Sequence, residues 1–171
     1  MNYSFFRKNA EKVRQAMQKE GIDVLILTHQ QKYSYVAGTY HNDFNLGNCL
    51  FVWAKEEPTL LASLAEMGRL MTEGYVRDIR YWMPAYAGIQ PVSFLDNVVN
   101  ILREHECHNK VIAVEMPSIE YLMYDHLVKN LPDATLVDGE RMINDVMMHK
   151  DEEELELIRR ACGIADAGTR K

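Results

Sequence analysis

The chain has 171 residues, 47% of them hydrophobic, which is enough material for one domain with a substantial core. The formal net charge of −6, without a block of lysine or arginine, argues against nucleic acid or an anionic membrane as a partner. The three cysteines form no CxxC pair, the amino-terminal segment lacks an apolar signal region, and no run approaches the ~20 apolar residues of a membrane helix. We therefore expect a soluble, cytoplasmic protein with reduced thiols.

The first predicted element is an amphipathic helix with Ser4 as its N-cap and Gly21 as its end. Its inward residues recur at helical spacing: Phe6, Ala10, Val13 and Met17. Directly after it, the β-branched and leucine run over residues 22–27 is typical of a strand that is buried on both faces. We expect this strand at the centre of the sheet.

The next segments predict an antiparallel pair of strands, over residues 48–53 and 59–62, joined by the turn-forming AKEEP. A polar and aromatic loop over residues 39–45 precedes them. After them we expect a short helix that ends at Gly74 and then a strand over residues 75–82.

The second half alternates helices with strands, a pattern that favours parallel pairing. Ser93 and Asp96 form a capping-box pair that opens one helix. Pro117 and Ser118 are expected to start another.

Two further strands are predicted over residues 110–114 and 134–137, and Asp138 is expected to cap a brief helix after the second. The fold class that follows is α/β, with a mixed, mostly parallel sheet of about six strands flanked by helices. The sequence contains no internal repeat that would suggest another architecture.

The last segment begins with a strong helix signal, because Asp151 and Glu154 form a capping box and Glu152 and Glu153 complement the helix dipole. Two apolar stripes follow on different sides of this helix. One contains Leu155, Ile158, Cys162 and Ala165, and the other contains Leu157, Ala161 and Ile164. Since a helix that is apolar on two sides needs cover on both, we expect residues 149–171 to lead into a further domain that is absent from this chain.

Signatures of a nucleotide site or a serine hydrolase are missing from the sequence. The turn after Leu27 contains neither GxGxxG nor GxxxxGK, and the chain has no GxSxG. His29 follows the central strand, where open sheets place ligands, but a role in the turn is the simpler interpretation. The run HECH over residues 105–108 lies at a polar helix end, so we predict no metal there.

The densest set of functional groups lies in the loop over residues 40–44, which combines a phenol, an imidazole, an amide, a carboxylate and a phenyl ring. Loops use such groups for ligands and interfaces, but they also use Asn and Asp simply to turn. Both interpretations stay open from the residues alone.

Taken together, these segments resemble the N-terminal domain of the creatinase and prolidase family, which includes Xaa-Pro dipeptidases, Xaa-Pro aminopeptidases and creatinase. The likeness is carried by a helix that ends in GIDVLILT, by YVAG where the family has Tyr-Leu-Thr-Gly, and by NCLFVWAKEEPTLL, RDIRYW and KVIAVE. The most specific part is LVDGERMINDVMMHKDEEELELIRRAC, which is similar to the helix that joins the two domains of the family. The resemblance implies a creatinase/prolidase N-terminal domain, ribonuclease H-like, over residues 1–148 and a linker helix over residues 149–171.

The resemblance also implies that the absent part is a pita-bread catalytic domain. There, two aspartates, one histidine and two glutamates hold a pair of divalent metal ions, namely manganese, cobalt or zinc. None of these ligands is assigned to this span, so we expect the chain alone to be inactive.

By the same likeness, the domain contributes to a homodimer and to the substrate entrance of an Xaa-Pro peptidase that acts on proline-containing peptides. The loop after YVAG is the region that the family projects toward an active site. The resemblance therefore makes His41, Asp43 and Phe44 the candidates for substrate-facing residues.

Two departures from the family pattern bear on the substrate. Creatinase carries a Phe-x-Arg pair in this loop, whereas Phe44 is followed two places on by Leu46, so the guanidinium fork is missing. This favours a peptidase over the first alternative, a creatinase-like C–N hydrolase. A stand-alone binding module is a second alternative, which the reading frame past Lys171 would decide. Lys32 stands where many relatives have asparagine, which leaves the detail of the local turn open.

Overall fold

The computed structural model describes residues 3–39, 47–83 and 92–170. The helices are α1 (Tyr3–Glu20), α2 (Gln30–Ala37), α3 (Met67–Leu70), α4 (Phe94–Glu104), α5 (Tyr121–Asn130), α6 (Glu140–Met148) and α7 (Glu152–Thr169). The strands are β1 (Val24–Leu27), β2 (Cys49–Trp53), β3 (Thr59–Ser63), β4 (Asp78–Trp82), β5 (Val111–Val114) and β6 (Thr135–Asp138). In this described part, no helix is both long and apolar enough to cross a membrane.

The strands of the described residues form one sheet in the order β4-β3-β2-β1-β5-β6. β1 pairs antiparallel with β2 and parallel with β5. β2 also pairs antiparallel with β3, whereas the pairs β3–β4 and β5–β6 are parallel. The predicted mixed, mostly parallel sheet of about six strands flanked by helices is confirmed.

The position of β1 inside the sheet follows from its unbroken apolar run. Leu25 and Leu27 are buried in a core that packs α1, α2 and α6 against one face. Val24 and Ile26 are buried in a second core that packs α4 and α5 against the other face. The prediction of a central strand that is buried on both faces is confirmed.

Helix α1 covers the first core with its predicted apolar residues. Those residues are Phe6, Ala10, Val13 and Met17, of which Phe6 is partly buried. Gly21 ends the helix with a φ of 69°, in the left-handed region that favours glycine. The prediction of Ser4 as the N-cap is wrong, because the helical conformation already includes Tyr3.

Helix α5 starts four residues later than the sequence predicts. The backbone N–H groups of Ser118 and Ile119 donate to the Glu115 carbonyl at 2.8 and 2.7 Å, which closes a turn directly after β5. The helix therefore begins at Tyr121 rather than at Pro117.

The start of α6 also differs from the prediction by one residue. Its N-cap is Gly139 rather than Asp138, and a Cβ at Gly139 would lie only 2.7 Å from Leu25 Cδ1. The Asp138 carboxylate still accepts the Glu140 N–H at 2.9 Å, so it satisfies a helix donor from one position earlier.

The opening of α4 agrees with the sequence, since Ser93 Oγ accepts the Asp96 N–H at 3.1 Å. The segment after β3 is less regular than the predicted helix. It forms a 3₁₀ turn, Leu64–Glu66, and then the four-residue α3.

Candidate functional site at the carboxyl edge of the sheet

The carboxyl ends of β1 and β5 meet at one edge of the sheet, and the helices that follow them lie on opposite faces. Helix α2, after β1, buries Tyr33 and Val36 in the first core. Helix α5, after β5, buries Met123 and Leu127 in the second. An open α/β sheet has a crevice where neighbouring strands send their connections to opposite faces, and ligands of such folds bind there.

A side chain of the protein itself fills the crevice between β1 and β5. Glu115 directly follows β5, and its buried carboxylate accepts the backbone N–H groups of Thr28 at 2.5 Å and His29 at 2.9 Å. These N–H groups precede α2, where the helix dipole attracts negative charge. Glu115 thus supplies internally the charge that a phosphate supplies in nucleotide-binding folds.

Lys32, on α2, pairs with this buried carboxylate. Its ammonium lies 3.1 Å from Glu115 Oε1 and donates to Glu140 Oε2 at 2.5 Å. Burial lowers the pKa of Lys32, but hydrogen bonds to Glu140 and Glu115 outweigh it and leave the pKa above its ordinary value. Burial likewise raises the pKa of Glu140, and the Lys32 hydrogen bond brings it below its ordinary value. We call Lys32, Glu115 and Glu140 together the Lys32 cluster. It links α2, β5 and α6.

The sequence prediction missed the two carboxylates of this cluster. Glu115 ends the block KVIAVE and follows a buried strand, which is a signal for a side chain at the sheet edge. Nothing in the local pattern indicates that Glu140 faces Lys32, because the two are 108 residues apart.

A groove of about 440 Å³ opens at the same edge of the sheet. Its lining combines polar and aromatic residues, and includes Thr28, His29, Asn48, Trp82 and Phe94. The rings of Trp82 and Phe94 have centroids 5.5 Å apart, and the Trp82 indole N–H donates to the Gly47 carbonyl at 2.6 Å. A pair of aromatic rings together with a few polar groups suits an apolar side chain or a short peptide segment.

The predicted substrate-facing residues, His41, Asp43 and Phe44, lie outside the described residues. The stretch that contains them is followed by Gly47, which lines the groove. His29 lines the same groove from the start of α2, where it is the N-cap residue and makes no side-chain capping bond.

The segment over residues 105–108 contributes to packing. The His105 ring stacks on Trp53 with centroids 3.9 Å apart, and its Nδ1 lies 3.0 Å from Glu56. Burial is the main cause that raises the pKa of the Cys107 thiol to about 11.

Among the residues that the structure describes, no group of three His, Cys, Asp or Glu side chains could hold a metal ion. The described ranges therefore contain no ligand set for the pair of metal ions that the family resemblance implies.

Ser93, Asp96 and His126 contact one another but do not form a catalytic triad. Ser93 Oγ donates to one Asp96 oxygen at 2.7 Å, and His126 Nε2 lies 2.9 Å from the other. In a serine hydrolase the histidine lies between the serine and the acid, whereas here the aspartate does. The arrangement is a helix cap with a contact between Asp96 of α4 and His126 of α5.

The first turn of α7 is bound to α1 by a set of charged side chains. Lys12 donates to Asp151 at 2.6 Å and to Glu154 at 2.7 Å, and Lys8 donates to Glu153 at 2.8 Å. Asp151 and Glu154 also exchange the two bonds of the predicted capping box. Hydrogen bonds from Lys12, the Glu154 N–H and Lys8 hold the pKa of Asp151 well below its ordinary value.

Beyond this turn, the apolar residues of α7 are exposed. Leu157 and Ile158 are each 46% exposed, and Ile164 is 74% exposed. A second groove, of about 590 Å³, is lined by residues of α1, α6 and α7 and by Tyr35 of α2. Exposed apolar residues on a helix that is covered only at its first turn suit a surface that contacts more protein.

The described residues thus define an α/β domain with a groove at its carboxyl edge and an exposed helix at the end of the chain. Residues 10–148 match the family model of the Creatinase/Prolidase N-terminal domain. The chain belongs to this family, and the predicted resemblance is confirmed.

Curated relatives include two enzymes of known type. The chain is 25% identical over 162 residues to the creatinase of Bacillus sp. (strain B-0618), a match that covers 95% of this chain and 38% of the creatinase. It is 26% identical over 155 residues to the ectoine hydrolase of Halomonas elongata, with 86% of this chain and 38% of that enzyme covered. The chain spans about two fifths of the length of the curated relatives it matches.

Similar solved structures include an Xaa-Pro dipeptidase and a proline dipeptidase. An Xaa-Pro dipeptidase from Bacillus anthracis matches with a TM-score of 0.69 and 16% identity, over 96% of this chain and 42% of that chain. A proline dipeptidase from Streptococcus pneumoniae matches with a TM-score of 0.68 and 18% identity, over 82% of this chain and 98% of that chain. At these identities the likeness shows the fold.

Proposed function

We propose that the chain comprises the non-catalytic N-terminal domain of a metal-dependent Xaa-Pro dipeptidase or aminopeptidase, over residues 1–148, and a linker helix over residues 149–171. The domain contributes to a homodimer and shapes the substrate entrance of a catalytic domain that lies outside this chain. The observation that carries this proposal is the exposed apolar surface of α7, directly after a creatinase/prolidase N-terminal domain.

The likeness to the Bacillus anthracis Xaa-Pro dipeptidase supports the role of α7. That match leaves out only 4% of this chain, fewer residues than the 18 of α7, so the shared fold extends into this helix. Since the match covers 42% of that enzyme, more than half of its chain lies elsewhere. A pair of manganese, cobalt or zinc ions would be held by the corresponding part of the present protein.

The groove at the carboxyl edge supports a role at the substrate entrance. Its aromatic wall, Trp82 and Phe94, suits apolar parts of a peptide, and His29 and Asn48 offer polar groups beside it. His41, Asp43 and Phe44 are proposed to face the substrate from the stretch that ends next to this groove. A cytoplasmic location is proposed too, because a similar solved domain belongs to the cytoplasmic peptidase PepQ of Mycobacterium tuberculosis.

The experiment compares the full-length natural protein, loaded with manganese, with residues 1–171 alone. Each is incubated with a dipeptide that has proline in second position and with the matched dipeptide that has alanine there. We expect the full-length protein to cleave the proline peptide and the shorter chain to cleave neither. Failure of the full-length protein on a panel of Xaa-Pro peptides would overturn the peptidase assignment.

A second candidate is the N-terminal domain of a creatinase-like C–N hydrolase. It is favoured by the sequence likeness to creatinase and ectoine hydrolase, and disfavoured by Leu46, which stands where creatinase carries the arginine of its Phe-x-Arg pair. Incubation of the full-length protein with creatine and with ectoine, followed by NMR, separates the two candidates. A natural chain that stops at Lys171 would instead favour a stand-alone binding module.

A further inference from the structure

Helix α2 is bound at its start to two different parts of the domain. The Glu115 carboxylate holds the backbone of Thr28 and His29, and this ties α2 to the end of β5. The Lys32 ammonium, one turn further on, reaches Glu140 at the start of α6. Because Lys32 also lies 3.1 Å from Glu115, a single buried ammonium joins both connections.

The next turn of α2 faces the beginning of α7. Tyr35 lines the groove of about 590 Å³ together with Glu154 and Leu157 of α7. Its backbone carbonyl accepts a hydrogen bond from Asn9 of α1 at 3.0 Å. Helix α2 is thus held by α1 and α6 on the side where α7 attaches.

The two helices joined by Lys32 lead to the two parts of the chain that the proposed function uses. Helix α2 ends at Gly38, shortly before residues 40–46, which contain the proposed substrate-facing residues. Helix α6 ends at Met148, and the N-cap of α7 follows three residues later. The contact between Lys32 of α2 and Glu140 of α6 therefore connects the part of the domain that is proposed to face the substrate with the linker helix α7.

The geometry points to Lys32 as a positioning residue, which through Glu140 fixes α2 relative to the α6–α7 connection. Its catalytic consequence rests on the proposed function. The ammonium is needed because two carboxylates approach each other in a buried site, where an unpaired charge is costly.

The contact between Lys32 and Glu140 can be removed while the buried charge stays balanced. Glu140→Gln leaves Lys32 paired with Glu115, and the bonds from Glu115 to Thr28 and His29 are kept. Lys32→Met, by contrast, leaves the two carboxylates facing each other and is expected to impair folding. Glu140→Gln is therefore the test variant, and Glu73→Gln, in a half-buried bend outside the cluster, is its matched control.

The first test measures the distance between α2 and α7 in the chain of residues 1–171. Spin labels are attached to Cys162, which is exposed on α7, and to a Gln31→Cys variant on the exposed side of α2, while Cys49 and Cys107 are buried. We expect Glu140→Gln to broaden the distribution of distances by pulsed electron paramagnetic resonance roughly twofold, and Glu73→Gln and Lys32→Arg to leave it unchanged. An unchanged width in Glu140→Gln would overturn the inference.

The second test uses the full-length protein with an Xaa-Pro dipeptide. Glu140→Gln is expected to raise KM at least about fivefold while kcat stays within about twofold, because the chemistry lies in another domain. Lys32→Arg is expected to keep both values. A fall in kcat without a change in KM would contradict the positioning role. If the wild-type protein cleaves no such peptide, the proposed function fails, and the distance measurement still decides the inference.

Discussion

The Glu115 carboxylate accepts the His29 backbone N–H at 2.9 Å and ties the end of β5 to the start of α2. This contact lies at the point of the sheet where doubly wound folds bind a ligand. Here the Glu115 carboxylate occupies that point. The turn after β1 therefore does not need the glycine-rich sequence that makes room for a phosphate in other folds. The candidate binding surface lies beside this point instead, in the groove that Trp82 and Phe94 line.

Glu115 is expected to be a strong determinant of stability. Glu115→Ala removes one partner of a buried charge cluster and the acceptor of the Thr28 and His29 N–H groups, so the free energy of unfolding should fall by about 3–5 kcal/mol. Urea denaturation followed by circular dichroism measures the loss. Glu120→Ala, at an exposed position before α5, is the control and should stay within about 0.5 kcal/mol of the wild type. Similar small losses in both variants would contradict the role given to Glu115.

Two glycines with the same backbone conformation allow a matched comparison. Gly21 and Gly38 both have a φ of 69°, but a Cβ at Gly38 would lie 2.5 Å from the Phe6 ring, whereas nothing lies within 4 Å at Gly21. Gly21→Ala should cost about 1–2 kcal/mol of backbone strain. Gly38→Ala should cost about 1–3 kcal/mol more because the added methyl group overpacks the core. Equal losses in urea denaturation would show that Phe6 moves aside freely.

Local signals account for the elements that the sequence predicts correctly. The N-cap at Ser93 and the capping box at Asp151 each involve residues three apart, and the apolar run of β1 is continuous, so each is visible in a short window. The parallel pairing of β5 with β6 follows from the alternation of helices and strands in the second half. These features need no knowledge of distant contacts.

Long-range contacts account for what the sequence did not predict. Lys32 and Glu140 are 108 residues apart, and their pairing depends on the finished packing of α2 against α6. The late start of α5 has a local cause instead, because the turn after β5 is closed on the Glu115 carbonyl before the helix begins. The substrate-facing assignment of His41, Asp43 and Phe44 stays a prediction.

The attachment of α7 should weaken in acid. The pKa of Asp151 in the folded protein lies below its ordinary value of 3.8, chiefly because Lys12 hydrogen-bonds to it. A group whose pKa is lowered by folding stabilises the protein above its unfolded pKa, and this contribution is lost as the pH falls toward the folded value. The difference in unfolding free energy between the wild type and Asp151→Asn should therefore be largest above about pH 5 and shrink below about pH 4.

Asparagine is a suitable substitute because it is itself a good N-cap, so the comparison isolates the charge. Urea denaturation between pH 3 and pH 7 gives the difference at each pH. Asp166→Asn, on the exposed part of α7, should show no such pH dependence. A difference that stays constant across this range would show that the Lys12 contact does not stabilise the folded chain.

The exposed residues of α7 should tolerate polar substitution in the chain of residues 1–171. Because Leu157 is 46% and Ile164 is 74% exposed, Leu157→Gln and Ile164→Gln remove little buried area. Each should change the free energy of unfolding by less than about 1 kcal/mol. Leu102→Ala, in the core under α4, should cost about 2–5 kcal/mol in the same measurement. A comparable loss at Ile164 would show that α7 packs against its own domain.

The most direct test of the account is the metal content of the full-length natural protein, purified in the presence of manganese and measured by inductively coupled plasma mass spectrometry. The account predicts about two divalent metal ions per chain, with no stoichiometric metal on residues 1–171. A reading frame that ends after Lys171, or a longer chain that binds no divalent metal, would contradict it.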